Sequence, residues 1–157
     1  MKVCFIGHRT IEKTEELIFS LKETVLSLIE KGAETFLFGS KSAFNSLSWE
    51  VVSEMKEQYS HIKRVYVRST NKQISKLYKT YLLKFYEETY LPQKIEKAGK
   101  YSYVERNYEM IDNSNFCVFY FNKDYIPTPN SRKSGTKIAF AYAQRKNKHI
   151  INLFNKN

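Results

Sequence analysis

The chain has 157 residues, a length typical of one domain, and we treat residues 1–157 as a single domain. Apolar residues make up 42% of it and charged residues 27%, which excludes an intrinsically disordered or collagen-like chain. Basic residues outnumber acidic ones by 26 to 16, and the formal net charge of +10 favours anionic partners. No apolar run approaches the ~20 residues of a transmembrane helix, and the first residues show no signal-peptide pattern. We therefore expect a cytoplasmic protein without a membrane partner.

Short apolar runs alternate along the chain with longer segments of helical periodicity. In chain order the predicted elements are strand 3–6, helix 14–31, strand 35–38, helix 42–59, strand 62–67, strand 115–121, helix 136–146 and strand 148–153. Thr14 is suited to cap the first helix, and Gly32 stands where a glycine often ends one. Strands joined by helix-length segments pair in parallel through right-handed crossovers. We predict an α/β fold with a doubly wound, mainly parallel sheet of five strands, order 3-2-1-4-5, and helices on both faces.

The two cysteines, Cys4 and Cys117, lie inside predicted strands. No CxxC pair or histidine cluster accompanies them, so we interpret them as buried apolar side chains rather than metal ligands or a disulfide. No spacing of histidine, cysteine and carboxylate residues indicates a metal site. We predict neither a metal nor a cofactor.

Small and basic residues follow the predicted strands where a doubly wound sheet binds ligands, at the carboxyl ends near the switch in strand order. Those positions are Gly7, His8, Arg9, Gly39, Ser40, Arg132, Lys133, Ser134, Gly135 and Thr136. The last three open a helix, whose free amides and dipole attract an anion. The GxGxxG and P-loop signatures do not occur. The pattern predicts a phosphate-bearing small molecule.

Four segments match, in the same order, the motifs of a known family. They are Cys4–Arg9; Gly39 with Phe44, Asn45 and Glu50–Val52; Arg106–Ser114; and Ser134–Thr136 with Ala139 and Ala143. In these segments the chain resembles the YpsA-like branch of the SLOG superfamily. The resemblance extends over nearly the whole chain.

The resemblance implies a Rossmann-like fold that binds nucleotides or nucleotide-derived ligands, often of the ADP-ribose kind. It implies that Arg106 and Asn107 reach the ligand from the helix before the fourth strand. It also implies that the phosphate and ribose are lined by Gly7, Arg9, Gly39, Ser40, Ser134, Gly135 and Thr136. We place Phe44 and Asn45 at the same site. Some relatives cleave the N-glycosidic bond of a nucleoside monophosphate, some are proposed sensors, and others bind single-stranded DNA.

The chain departs from the pattern of those hydrolases where catalysis needs a carboxylate. Ala139 stands at the position of their glutamate, Ser134 replaces a glycine, and Asn45 stands where the branch usually has aspartate. Glycosidic cleavage uses a carboxylate to stabilise an oxocarbenium-like centre or to activate water. The remaining catalytic candidates, for which a helix-face or capping role is the alternative, are Glu50, Glu109 and Asp112.

His8 and a tyrosine-rich segment leave further alternatives. His8 faces the predicted site, as a phosphate contact, an acid–base group or a hydrogen-bonded turn histidine. Tyrosines alternate with lysines between residues 71 and 108, which suits single-stranded nucleic acid. Their spacing also fits a packed helix, with a break into two helices at Gly99, and some of these rings are placed to stack on an adenine or to cover the pocket.

We therefore predict a protein that binds a nucleotide or ADP-ribose-like phosphorylated small molecule and acts as a sensor, carrier or sequestering protein. One alternative is a nucleotide N-glycosidic hydrolase with a substituted carboxylate. A second is a protein that binds single-stranded nucleic acid. The last strand leaves a sheet edge for pairing with a second copy, which is consistent with a homodimer.

Overall fold

Strands and helices alternate along most of the chain. The computed structural model describes residues 1–69, 75–126 and 134–154. Its elements are β1 (Lys2–Gly7), α1 (Glu15–Glu30), β2 (Thr35–Phe38), α2 (Ala43–Gln58), β3 (Lys63–Val67), α3 (Lys76–Leu82), β4 (Glu88–Tyr90), α4 (Ser102–Asp112), β5 (Phe116–Tyr120), α5 (Gly135–Arg145) and β6 (His149–Asn152). Two 3₁₀ segments, Gln93–Lys97 and Gly99–Tyr101, precede α4.

Within the described residues, six strands form one parallel sheet in the order β4-β3-β2-β1-β5-β6. Five of them occupy the predicted positions in the predicted order, which confirms the doubly wound α/β fold. The predicted number of strands is wrong by one, because β4 adds a strand beside β3. That strand has only three residues, Glu-Thr-Tyr, and is partly exposed, so no apolar run marks it in the sequence.

Alternate residues of each strand pack on opposite faces of the sheet, as the two-residue period of a strand requires. Val3 and Phe5 of β1 belong to the core beneath α1 and α2. Cys4 and Ile6 belong to the core beneath α4 and α5. Cys4 and Cys117 are opposite each other in the pairing of β1 with β5, and both are fully buried free thiols. The interpretation of the cysteines as apolar core residues is confirmed.

The helix ends follow the local sequence signals, but the tyrosine-rich segment is less helical than its spacing predicts. The Thr14 hydroxyl accepts the Leu17 amide at 3.1 Å, and Gly32 adopts a φ of +103° after α1. α3 ends at Leu82, so Phe85 and Tyr86 lie outside any helix. None of the helices in the described ranges is long and apolar enough to cross a bilayer.

The end of β1 is held against the start of α2 by a contact that only glycine permits. A Cβ atom at Gly7 would lie 2.4 Å from Cδ1 of Phe44. The Phe44 ring is fully buried, and the close packing of protein interiors leaves such a ring little room to move. This contact sets the position of the α2 N-terminus beside the carboxyl ends of β1 and β2.

We expect the substitution Gly7→Ala to lower the free energy of unfolding by about 2 kcal/mol, because the new methyl group overpacks the Phe44 ring. Chemical denaturation measures the change. Gly135→Ala is the matched control, since a Cβ there would meet only a Tyr103 ring carbon at 3.4 Å. Equal stability of Gly7→Ala and the unsubstituted protein would contradict this packing.

Candidate anion-binding site

A cavity of about 690 Å³ lies at the carboxyl ends of β1 and β2, beside the N-termini of α2 and α5. Eleven of the twelve predicted ligand residues line it: Gly7, His8, Arg9, Gly39, Ser40, Asn45, Arg106, Asn107, Ser134, Gly135 and Thr136. Phe44 does not line it, because its ring packs in the core behind Gly7. The described lining also includes residues that the prediction did not name: Phe5, Ile6, Lys41, Ser42, Tyr103, Met110 and Tyr125. Lys41 could have been found as the basic residue next to Ser40.

Arg106 is the buried charge of the site. Its side chain lines the cavity from α4 and is only 6% exposed. Its Nε donates to Oδ1 of Asn107 at 3.0 Å, and within the described residues its terminal nitrogens meet neither a carboxylate nor another hydrogen-bond acceptor. Burial lowers the pKa of Arg106 to about 10, so the group stays charged at neutral pH. A buried, unpaired cation is unfavourable until an anion approaches it.

Gly39 allows Arg106 to reach the cavity. A Cβ atom at position 39 would lie 2.4 Å from Cδ of Arg106 and 2.6 Å from Sδ of Met110. The side chains of Arg106 and Met110 therefore pass directly over the backbone at the end of β2. A larger residue at position 39 would displace the guanidinium group.

The N-terminus of α5 supplies backbone donors to the same cavity. The Ser134 hydroxyl caps the helix by accepting the Lys137 amide at 3.0 Å. The amides of Gly135 and Thr136 have no acceptor among the described residues. Free amides at the start of a helix form a site that favours an anion. Arg132 and Lys133, which were predicted to add charge here, lie outside the described residues.

Asn45 holds the strand ends together. Its amide nitrogen donates to the Phe5 carbonyl at 3.1 Å, and its Oδ1 accepts the Gly39 amide at 3.2 Å. Its own backbone amide donates to Ser42 Oγ, which caps α2. An ionised aspartate has no proton to donate to the Phe5 carbonyl, so this hydrogen bond requires asparagine at position 45. The side chain is therefore occupied in shaping the turn that carries Gly39 and Ser40.

His8 is a buried, neutral hydrogen-bond acceptor in the cavity wall. Its Nε2 accepts the Asn122 amide at 2.8 Å, and its ring stacks on Tyr125 with centroids 3.9 Å apart. Burial lowers the pKa of His8 to about 4, so the neutral imidazole carries its proton on Nδ1. Within the described residues Nδ1 has no hydrogen-bond partner. The contact with Asn122 fits the hydrogen-bonded turn histidine that the sequence left as one alternative.

The three predicted catalytic carboxylates lie outside the cavity lining. Glu50 is exposed on α2 and pairs with Lys13 at 3.5 Å. Asp112 accepts the Tyr142 hydroxyl at 2.9 Å, and Glu109 does not line the cavity. None of the described lining residues is acidic, and positions 70–74, 127–133 and 155–157 contain no aspartate or glutamate. Among the described residues no cluster of three histidine, cysteine or carboxylate side chains could hold a metal.

A comparison with protein families matches most of the chain. The YpsA family model, described as the YspA SLOG family, matches residues 6–156. The chain belongs to this SLOG family. No curated protein matches it. For this SLOG protein, family membership supports a Rossmann-like fold with a nucleotide-related function.

We expect His8 to make the stability of the SLOG protein depend on pH. The folded state takes up the His8 proton only near pH 4, whereas the unfolded chain does so near the ordinary pKa of 6.5. Between these values the unfolded state binds more protons, so stability falls as the pH falls, by up to about 1.4 kcal/mol per unit. Urea unfolding of the unsubstituted protein and His8→Gln from pH 7 to 4.5 measures the difference. Parallel stability curves would contradict a buried neutral His8.

Proposed function

We propose that this SLOG protein binds a nucleotide or ADP-ribose-like phosphorylated small molecule at the carboxyl ends of its strands, and acts as a sensor, carrier or sequestering protein. The observation that carries the proposal is Arg106, a buried guanidinium group that lines the cavity and has no carboxylate partner among the described residues. A phosphate oxygen satisfies such a group, since guanidinium and phosphate form paired hydrogen bonds.

The other polar groups of the cavity suit the same ligand. The amides of Gly135 and Thr136 are placed for phosphate oxygens, and Arg9 and Lys41 add positive charge at exposed positions. The volume of about 690 Å³ lies within the range of pockets that enclose small organic ligands.

We propose recognition rather than N-glycosidic cleavage. Cleavage needs a carboxylate near the anomeric carbon, to stabilise positive charge or to activate water. Ala139 is buried where the hydrolases have their glutamate, and the described lining contains no acidic residue. The charge distribution favours holding an anion over promoting the departure of a base.

We expect Arg106→Met to separate binding from folding. Methionine fills a similar volume without a buried charge, so the ligand-free variant should melt at the same temperature as the unsubstituted protein or above it. Its affinity for ADP-ribose should fall by about 100-fold, because the charged hydrogen bonds are lost. Thermal melting and calorimetry measure the two effects.

Arg145→Met is the matched control, because it removes the same charge at an exposed position on the last turn of α5. It should leave the affinity for ADP-ribose within about twofold, since screened surface charges contribute little. Equal losses in the two variants would show that net charge, and not the cavity, determines binding.

We expect Gly135→Asp to abolish binding while preserving the fold. An acidic residue in the first turn of α5 interacts favourably with the helix dipole, but its carboxylate occupies the position proposed for the phosphate. Gly135→Ala serves as the control that keeps the amides and adds no charge. Binding of ADP-ribose that survives Gly135→Asp would place the phosphate elsewhere.

A further inference from the structure

A second cavity, of about 510 Å³, adjoins the anion-binding site and is lined mainly by aromatic rings. Ser40, Lys41 and Asn45 line both cavities. We call the second one the aromatic cleft, after its rings Trp49, Tyr66, Tyr78, Tyr81, Phe85 and Tyr86. The proposed phosphate site and a concave aromatic surface therefore meet at the turn that follows β2.

The inner rings of the aromatic cleft are fixed by contacts within the protein. Tyr86 packs on Tyr66 with ring centroids 5.2 Å apart, and Tyr66 is 4% exposed. The Trp49 indole donates its N–H to the Phe85 carbonyl at 3.2 Å, and the Arg64 guanidinium lies 5.3 Å from the indole ring. Trp49 and Tyr86 therefore form a rigid wall with no indole donor left to satisfy.

The outer rings stay open to solvent. Tyr81 is 52% exposed and Phe85 41% exposed, and the two rings meet edge to face with centroids 5.4 Å apart. Large apolar rings held at the mouth of a cavity lose little conformational entropy when a flat ligand stacks on them. The aromatic cleft is thus preorganised for a planar group.

We propose that the aromatic cleft is the base subsite of this protein: the base of the bound nucleotide stacks there, while its phosphates lie against Arg106 and the N-terminus of α5. This assignment rests on the proposed function. A ligand with an anionic group at one end and a planar ring at the other uses both cavities, and Ser40 and Lys41 lie where the two ends join. Recognition by stacking tolerates any base, because every base has a π-face.

The shape of the aromatic cleft favours one base over a nucleic-acid strand. A strand needs successive rings along an open, basic groove. Here the six rings surround a single cavity. One such cavity accommodates one planar group and offers no row of stacking positions for the next bases of a strand.

The chain provides its own reporter of base binding, because Trp49 is its one tryptophan and lies in the aromatic cleft. The experiment titrates the full chain with ADP-ribose and, separately, with inorganic pyrophosphate, by calorimetry and by tryptophan fluorescence. We expect both probes to bind, and ADP-ribose alone to change the fluorescence of Trp49.

Tyr81→Ala tests the subsite, and Tyr101→Ala is its matched control. Tyr101 is 57% exposed, close to the 52% of Tyr81, and lines neither cavity. Tyr81→Ala should lower the affinity for ADP-ribose by about tenfold, because stacking is lost, and should leave the affinity for pyrophosphate unchanged. Tyr81→Phe should restore the affinity for ADP-ribose, and Tyr101→Ala should change the affinity for neither ligand.

The outcomes separate this inference from the proposed function. Unchanged binding of both probes by Tyr81→Ala, with constant Trp49 fluorescence, would overturn the base subsite and leave the phosphate site standing. Failure of both probes to bind the unsubstituted protein would overturn the phosphate site and the subsite together. A loss of oligonucleotide binding in Tyr81→Ala, with unchanged ADP-ribose affinity, would overturn the subsite in favour of a nucleic-acid surface.

Discussion

The candidate site depends on the passage of one charged side chain over one glycine. Arg106 reaches the cavity because Gly39 has no Cβ to block its path, and the same absence makes room for the sulfur of Met110. The packing that admits the guanidinium also removes it from water, so its charge is held in place with its terminal nitrogens unsatisfied by the described residues. Such an arrangement reduces stability, and proteins tolerate it where function requires it.

The polar groups around the cavity divide into those that build it and those that it offers to a ligand. The side-chain amide of Asn45 bonds to Phe5 and Gly39, and the Ser134 hydroxyl caps α5. The terminal nitrogens of Arg106 have no such partner in the part of the chain that the structure describes. Because the groups that build the cavity already have their hydrogen bonds, the cavity is shaped before a ligand arrives. The conformational entropy lost on binding is therefore small. The aromatic cleft continues this surface, and its inner rings are likewise held by contacts within the protein.

The sequence predicted the architecture well because apolar strands and capped helices are local signals, and their alternation fixes the topology. It missed β4, since three partly exposed residues carry no pattern. It found most of the cavity lining because glycines and helix starts mark the carboxyl ends of strands. It named Phe44, which packs behind Gly7 and does not line the cavity, and it did not name Tyr125, which reaches the cavity through a loop and stacks on His8. Side-chain direction determines both, and no sequence pattern encodes it.

The measurement that tests the central claim most directly is mass spectrometry of the small molecules released when natively purified protein is denatured. We expect a phosphorylated, nucleotide-type compound that is retained through purification because the buried guanidinium group of Arg106 binds it. If no phosphorylated compound is released and added AMP, ADP-ribose and NAD do not bind, the cavity lined by Arg106 is not a nucleotide site.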